Sequence, residues 1–332
     1  MTPDSHKPDP HKPDSHKPDP HVTGRKLTPA EMKAKMVYLY DESNKMNLAV
    51  FDELFAPEFV SYGGAGFQDL HGPAEFRGLY EQFLTAMPDL RFDPTFMVAE
   101  GDLVFVRGTL GGTHKGNFMG MAPATNKYVA WTGTAIFKFD DQGLCVARWQ
   151  EWDGLGVMQQ MGVIPTPPGQ EAANPSTQRE PDPTSSDTDP ARVERSRALM
   201  QSFIEEVWNQ KKLERADDFF TPEATSPDAP GLPPGGAGVK VIAGMFFEAF
   251  PDFHMDIDFL AAEGDRVAAH FVQGGTHQGP LFGISATGNM VRFGEIGILR
   301  LEGGKVVESF YNTDMLSLMQ QMGVGSDARA GA

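Results

Sequence analysis

The chain has 332 residues, 40% of them hydrophobic, and a formal net charge of −17 from 45 acidic against 28 basic side chains. That length predicts two domains at about 100–200 residues each. The charge repels phosphate backbones and argues against a nucleic-acid partner, and the single cysteine, Cys145, excludes an internal disulfide or a thiolate metal site.

The first segment is low in complexity. His6, His11, His16 and His21 recur at even spacing, the first three each followed by Lys-Pro-Asp. Proline at this density blocks helices and sheet ladders, and nothing apolar is available to bury, so residues 1–26 read as a disordered tail. Evenly spaced histidines can hold a transition metal weakly, but no rigid geometry fixes them, and a solvated tail is the better reading. The start MTPDSHKPDP has no apolar signal region, and no run approaches the roughly 18 apolar residues of a spanning helix. The expected location is therefore the cytoplasm, with no membrane partner.

Residues 27–164 form the first predicted unit. A helix over 31–47 places Met32, Met36, Leu39 and Tyr40 near helical spacing. A second helix over 48–55 is stopped by Pro57, and a third covers 73–87. Strands follow at 91–99, 103–110, 128–139 and 144–152, the last two joined by the turn Asp140-Asp141-Gln142-Gly143. Cys145 falls in the last strand, as a buried, inert thiol. Residues 165–190, rich in Pro, Ser, Thr, Asp and Glu, read as a flexible linker. The second unit, 191–325, repeats the pattern: helices at 193–209, 213–220 and 239–250, then strands at 254–261, 266–273, 291–301 and 306–313. A flexible tail, 326–332, ends the chain.

The two units are copies. Met87-Pro88-Asp89-Leu90 matches Phe250-Pro251-Asp252-Phe253, and Ala99-Glu100-Gly101-Asp102 matches Ala262-Glu263-Gly264-Asp265. Gly111-Gly112-Thr113-His114 matches Gly274-Gly275-Thr276-His277, and Met158–Val163 matches Met319–Val324. Matches of this length in one order indicate tandem duplication. Helices followed by a strand meander predict an α+β fold in each copy, with the helices covering one face of an antiparallel sheet.

Taken together, these motifs resemble the SnoaL-like polyketide cyclases, or ester cyclases, of the nuclear transport factor 2-like superfamily. The resemblance spans residues 27–163 and 191–324. It implies a cone-shaped α+β barrel enclosing a ligand cavity, duplicated in tandem. It also implies cofactor-free general acid–base catalysis, as in an intramolecular aldol closure, on a small hydrophobic ligand, with a non-catalytic ligand-binding or assembly module on the same fold as the alternative. A catalytic aspartate near the end of the last strand maps to Asp153 and Asp314. Domains of this superfamily commonly pair through the outer face of the sheet, which implies an intramolecular pseudo-dimer. Thr132, Thr134, Ile136, Ile296 and Ile298 are expected on that face.

Alternation along the last strand puts Ala147, Trp149, Glu151 and Asp153 on one face, and Glu308, Phe310, Asn312 and Asp314 on the equivalent one. An acid beside a large aromatic has a raised pKa and can exchange protons near neutrality. Glu151 and Asp153 are expected to couple, with one of them protonated. A second reading of Asp153 and Asp314 stands beside catalysis, because each precedes a short helix and Asp is a preferred N-cap. His114 and His277 can orient a carbonyl, though a loop histidine packed on the next hairpin is the favoured reading. Glu295 shares a strand face with Phe293, and Gly133 occupies its place in the first copy, so any role belongs to the second copy alone. Trp131, Trp149, Phe293 and Phe310 are candidates to line a pocket, or ordinary core. No dinucleotide, P-loop, zincin or nucleophile-elbow motif occurs, so no cofactor and no metal are expected.

Overall fold

The computed structural model describes residues 19–63, 68–120, 122–166, 189–229 and 231–323. The Lys-Pro-Asp repeats holding His6, His11 and His16, most of the Pro-rich stretch and the C-terminal tail lie outside the described residues.

The first half opens with α1 (Pro29–Asn44), whose start is fixed by a capping box. The Glu31 N–H donates to Thr28 Oγ1 and the Thr28 N–H donates to Glu31 Oε2 at 2.9 Å, satisfying helix-end donors reciprocally. There follow α2 (Val50–Leu54), β1 (Phe55–Ser61), β2 (Leu70–His71), α3 (Gly72–Ala86), β3 (Arg91–Glu100), β4 (Leu103–Thr113), β5 (Tyr128–Phe139), β6 (Cys145–Trp152) and α4 (Gly154–Met161). The second half runs α5 (Pro190–Phe203), a π-helical turn over Ile204–Asn209, a short 3-10 turn, α6 (Ala216–Phe219), β7 (Phe220–Thr225), α7 (Gly236–Ala249), β8 (His254–Glu263), β9 (Arg266–Thr276), β10 (Met290–Glu302), β11 (Lys305–Thr313) and α8 (Met315–Gln321). The sheets have the orders β2-β1-β6-β5-β4-β3 and β7-β11-β10-β9-β8. Both halves are therefore the same α+β unit, helices packed on one face of a sheet.

Two expectations need correction. The sheets are not purely antiparallel, because β1 and β7 run parallel to β6 and β11. α2 ends at Leu54, ahead of Pro57 as expected, and the chain runs on through the proline as β1. Pro57 sits where the β1–β6 register shifts between Phe55 and Val60, a bulge that asks no ladder hydrogen bond of a proline. Packing contacts also begin before residue 27. Val22 packs on the first core, Gly24 N–H donates to Gln142 O at 2.7 Å, and His21 contacts Glu53 and Tyr38. Cys145 is buried as expected, and burial pushes its thiol pKa up. No helix among the described residues is long and apolar enough to cross a membrane.

The first half carries two cores, around Phe51, Phe55 and Phe137 and around Phe118, Trp131 and Met158, and the second carries one around Phe203, Phe246 and Phe271. A further cluster is shared: Phe96, Phe105 and Ile136 with Ile296, Ile298 and Phe310. Contacts along this seam come in reciprocal pairs. Phe96 meets Phe310 at 4.6 Å between ring centroids, and its counterpart Phe259 meets Trp149 at 4.5 Å. Glu100 accepts from the Ala262 N–H at 2.8 Å and pairs with Arg197, while Glu263 accepts from the Ala99 N–H at 3.0 Å and pairs with Lys33. Such reciprocity is the mark of an isologous, two-fold contact.

The two glutamates differ in burial: the Lys33–Glu263 side chains are 8% and 7% exposed, those of Arg197–Glu100 26% and 32%. Breaking a buried pair strands a charge and costs about 3–5 kcal/mol, whereas an exposed pair contributes about 1 kcal/mol or less. Glu263→Ala should therefore lower the urea midpoint several times more than Glu100→Ala. Equal losses would contradict the asymmetry.

Candidate functional site

Each half holds a cavity between its helices and the inner face of its sheet. Cross-strand partners share a sheet face. In the first half Phe137 faces Arg148, Ala135 faces Gln150 and Gly133 faces Trp152. All six line the first cavity, of about 130 Å³, together with Trp131, Tyr40, Tyr62, Tyr80 and Phe76. In the second half Glu295 pairs with Thr313 and Gly297 with Tyr311. Glu295, Tyr311 and Thr313 line the second cavity, of about 200 Å³, with Gln273, Ser309, Trp208 and Phe246.

This register moves four predicted residues. Trp149 pairs with Ile136, Glu151 with Thr134, Phe310 with Ile298 and Asn312 with Ile296. They therefore lie on the outer faces, in the seam, and not in either cavity. Asn312 Oδ1 accepts from Arg107 Nη1 at 2.6 Å and from Thr134 Oγ1 at 2.8 Å, while its Nδ2 donates to Thr132 Oγ1 at 2.9 Å. Glu151 lies 3.7 Å from His270 Nε2 across the seam. A Cβ at Gly294 would meet Glu151 Oε1 at 2.0 Å, so only glycine leaves room for that carboxyl. Burial pushes the Glu151 pKa up, His270 draws it back and Asp314 pushes it further. Its acidic neighbours are thus Asp314 and Glu295, not the expected Asp153.

Asp153 and Asp314 turn away from strand alternation to cap helices. Asp153 Oδ1 accepts from the Gly156 N–H at 2.8 Å, and Asp314 Oδ1 from the Ser317 N–H at 2.9 Å. Burial raises the Asp153 pKa and the Gly156 N–H lowers it. Asp314 also borders a shallow cleft on the seam, with Trp149, Glu151, His270 and Phe293. Neither aspartate lines an interior cavity. Phe293 packs in the second core against Phe246.

His114 and His277 are fully buried, and each Nδ1 meets a loop threonine, Thr125 at 3.1 Å and Thr287 at 3.0 Å. Burial lowers the His114 pKa and favours the neutral ring. Their rings pack beside Phe118, in the loop that follows β4, and Phe250, at the C-terminal end of α7.

Two predicted residues do reach cavities: Trp131 in the first half and Glu295 in the second. The Glu295 carboxylate accepts from Thr313 Oγ1 at 2.5 Å. Burial pushes its pKa up to about 7, against hydrogen bonds from Thr313 and Gln273. Tyr311, absent from the sequence reading, stands beside it on the neighbouring strand. Burial and then Glu295 push its pKa up, so its hydroxyl stays protonated at neutral pH. At the rim Asp228 accepts from the Tyr311 N–H at 3.0 Å and, across the seam, from Arg107 Nη2 at 2.6 Å. Arg148 was missed as well. Pairing the strands before assigning faces would have found both, since Ile136 and Ile298 already marked the outer side. Among the described residues no group of three or more His, Cys, Asp or Glu is arranged to hold a metal ion.

A family model described as SnoaL-like polyketide cyclase matches residues 34–161 and 198–322. Among solved structures, the chain is similar to TsrD from Streptomyces laurentii, at 27% identity over 39% of this chain and 96% of that one, with a TM-score of 0.37. It is similar to AclR from Streptomyces galilaeus, at 28% identity over 42% and 100%, TM-score 0.38. A SnoaL-like polyketide cyclase from Agrobacterium tumefaciens aligns at 18% identity over 38% and 97%, TM-score 0.34. A search of curated proteins finds no match.

The capping geometry makes a direct prediction. Asn caps helices about as well as Asp, whereas Ala loses about 1 kcal/mol. In urea unfolding, Asp153→Asn should leave the unfolding free energy near wild type and Asp153→Ala should lower it by about 1 kcal/mol. An alanine variant as stable as wild type would remove the capping role.

Proposed function

The chain belongs to the SnoaL-like polyketide cyclase family in both of its halves, and from that premise we propose that it is a cofactor-free proton-transfer catalyst. Its substrate is a small apolar or aromatic carbonyl compound, and the second cavity is the reaction chamber. The observation that carries this reading is Glu295, a half-buried carboxyl lining a largely apolar cavity, with its pKa pushed up to about 7. A base is most effective when its pKa lies near the working pH. The Glu295 carboxylate takes a proton from the carbon beside a carbonyl. The Tyr311 hydroxyl donates a hydrogen bond to that carbonyl oxygen as negative charge develops on it. In an aldol closure the enolate carbon then bonds to a second carbonyl carbon of the same molecule. The oxygen of that carbonyl takes the proton back from Glu295. Gly133 occupies the equivalent place in the first cavity, which is assigned no proton-transfer role.

The pairing of the halves within one chain is part of the proposal. Separated, they would expose the apolar cluster around Phe96, Ile136, Ile298 and Phe310, a patch soluble monomers rarely tolerate. A tether holds each half at roughly millimolar effective concentration of the other. Arg107 of the first half fixes Asp228 at the rim of the second cavity, so the chamber is complete only when the halves pair. The net charge of −17 argues against a nucleic-acid partner.

The test is hydrogen–deuterium exchange at the α-carbon of aryl β-keto esters, followed by NMR. Exchange should rise with pH through about 7 as Glu295 ionises, and Glu295→Gln should slow it by about 10²–10⁴. Stability should move the other way. A raised carboxyl pKa means the folded chain holds a proton the unfolded chain has lost, so stability falls as pH climbs from 4.5 towards about 7. Glu295→Gln should lessen that fall and lose no stability at pH 8. Exchange that survives in the glutamine variant would overturn the assignment.

A further inference from the structure

Two of the exchanges between the cavities change the charge carried by the sheet. Where the second holds Glu295 the first holds Gly133, and where the second holds Ser309 the first holds Arg148. Ser309 hydrogen-bonds Ser226 at 2.5 Å, whereas Arg148 Nη1 donates to Ser61 Oγ at 3.1 Å. The guanidinium also lies 5.1 Å from the Phe76 ring centroid and 5.8 Å from that of Phe137. Among the described residues no Asp or Glu lines this cavity, and Arg148 has no ion pair. Arg148 is half-buried and lines the cavity. A cation so placed has lost water without gaining a counter-charge, which is costly until an anion arrives. Burial accordingly lowers its pKa.

We propose that the first cavity binds a small carboxylic acid as its anion, the carboxylate on Arg148 and Ser61 and the hydrocarbon against Phe76, Leu110 and Trp131. Planar guanidinium and carboxylate match in a two-bond fork. The hydroxyls of Tyr40 and Tyr80 lie close enough to sense the Arg148 charge, and burial raises the pKa of both, that of Tyr80 to about 12. They remain neutral donors, able to assist the carboxylate. Among the described residues no other Arg or Lys lines the cavity, so one positive charge balances a carboxylate and leaves a phosphate dianion short among aromatic rings. The volume of about 130 Å³ is near the roughly 150 Å³ that accommodates benzene, which points to a single ring or a short chain. This site stands apart from the acid–base reading, and neither depends on the other.

The test is calorimetric titration of the full chain with benzoate, benzyl alcohol and phenyl phosphate at pH 7. Benzoate should bind at least tenfold more tightly than either of the others. Arg148→Met, which replaces the charge by an apolar side chain, should weaken benzoate tenfold or more and leave benzyl alcohol unchanged. Arg148→Lys, which keeps the charge but loses the fork, should weaken benzoate several-fold and decides the matter should the methionine variant not fold. Glu295→Gln, in the other cavity, should leave benzoate affinity as it is. The proposal fails if benzoate does not bind, if it binds no better than the alcohol or the phosphate, if both Arg148 variants bind it like wild type, or if Glu295→Gln abolishes its binding.

Discussion

The seam between the halves decides what every strand residue can do. A pleated strand offers its side chains alternately to two faces. In each half one face meets the other half, through Phe96 on Phe310 and Phe259 on Trp149. The opposite face closes over a cavity beneath the helices. Large aromatic side chains dominate such contacts, each burying about 150–250 Å², and this makes the apolar cluster the main attraction across the seam. The charged pairs at its edges fix register, since Glu100 and Glu263 each reach a backbone N–H of the other half.

Duplication gave both halves the same frame, and a few inward positions carry the difference between them. Inward positions are few because much of each inner face is hydrocarbon core, Phe137 and Ala135 in one half, Phe271 and Leu299 in the other. Placing Glu295 on β10 opposite Thr313 puts an acid where water is scarce, and burial shifts its pKa towards neutrality. Placing Arg148 on β6 opposite Phe137 puts a cation over aromatic rings. In the proposed account one cavity moves protons and the other holds an anion, a division that a single domain would have to fit into one chamber.

Much of the frame was legible in the sequence. Repeated motifs such as Gly-Gly-Thr-His and Gln-Gln-Met-Gly exposed the duplication, and apolar periodicity located the main helices and four strands of each half. The strands β1 and β7 were not legible, because each is short, contains a proline and pairs only through a bulged parallel register set by distant β6 and β11. The candidate site was half legible. Trp131 and Glu295 were named and do reach cavities, whereas Trp149, Glu151, Phe310 and Asn312 were given the wrong face. Alternation fixes which residues go together but not which way they point. Only cross-strand pairing with Ile136 and Ile298 supplies the direction. Asp153 and Asp314 leave the alternation altogether, because a helix begins at the next residue and its free N–H groups claim the carboxylates.

Whether the halves pair within one chain is the point on which the separation into seam and cavities rests. Small-angle X-ray scattering of the purified chain, with mass from the forward intensity, tests it most directly. The account predicts the mass of one chain and a single-peaked distance distribution from one compact body, with a radius of gyration of about 20 Å for the packed part. A chain-sized particle whose distance distribution splits into two separated lobes would contradict it, as would a particle of twice the mass with halves paired between chains.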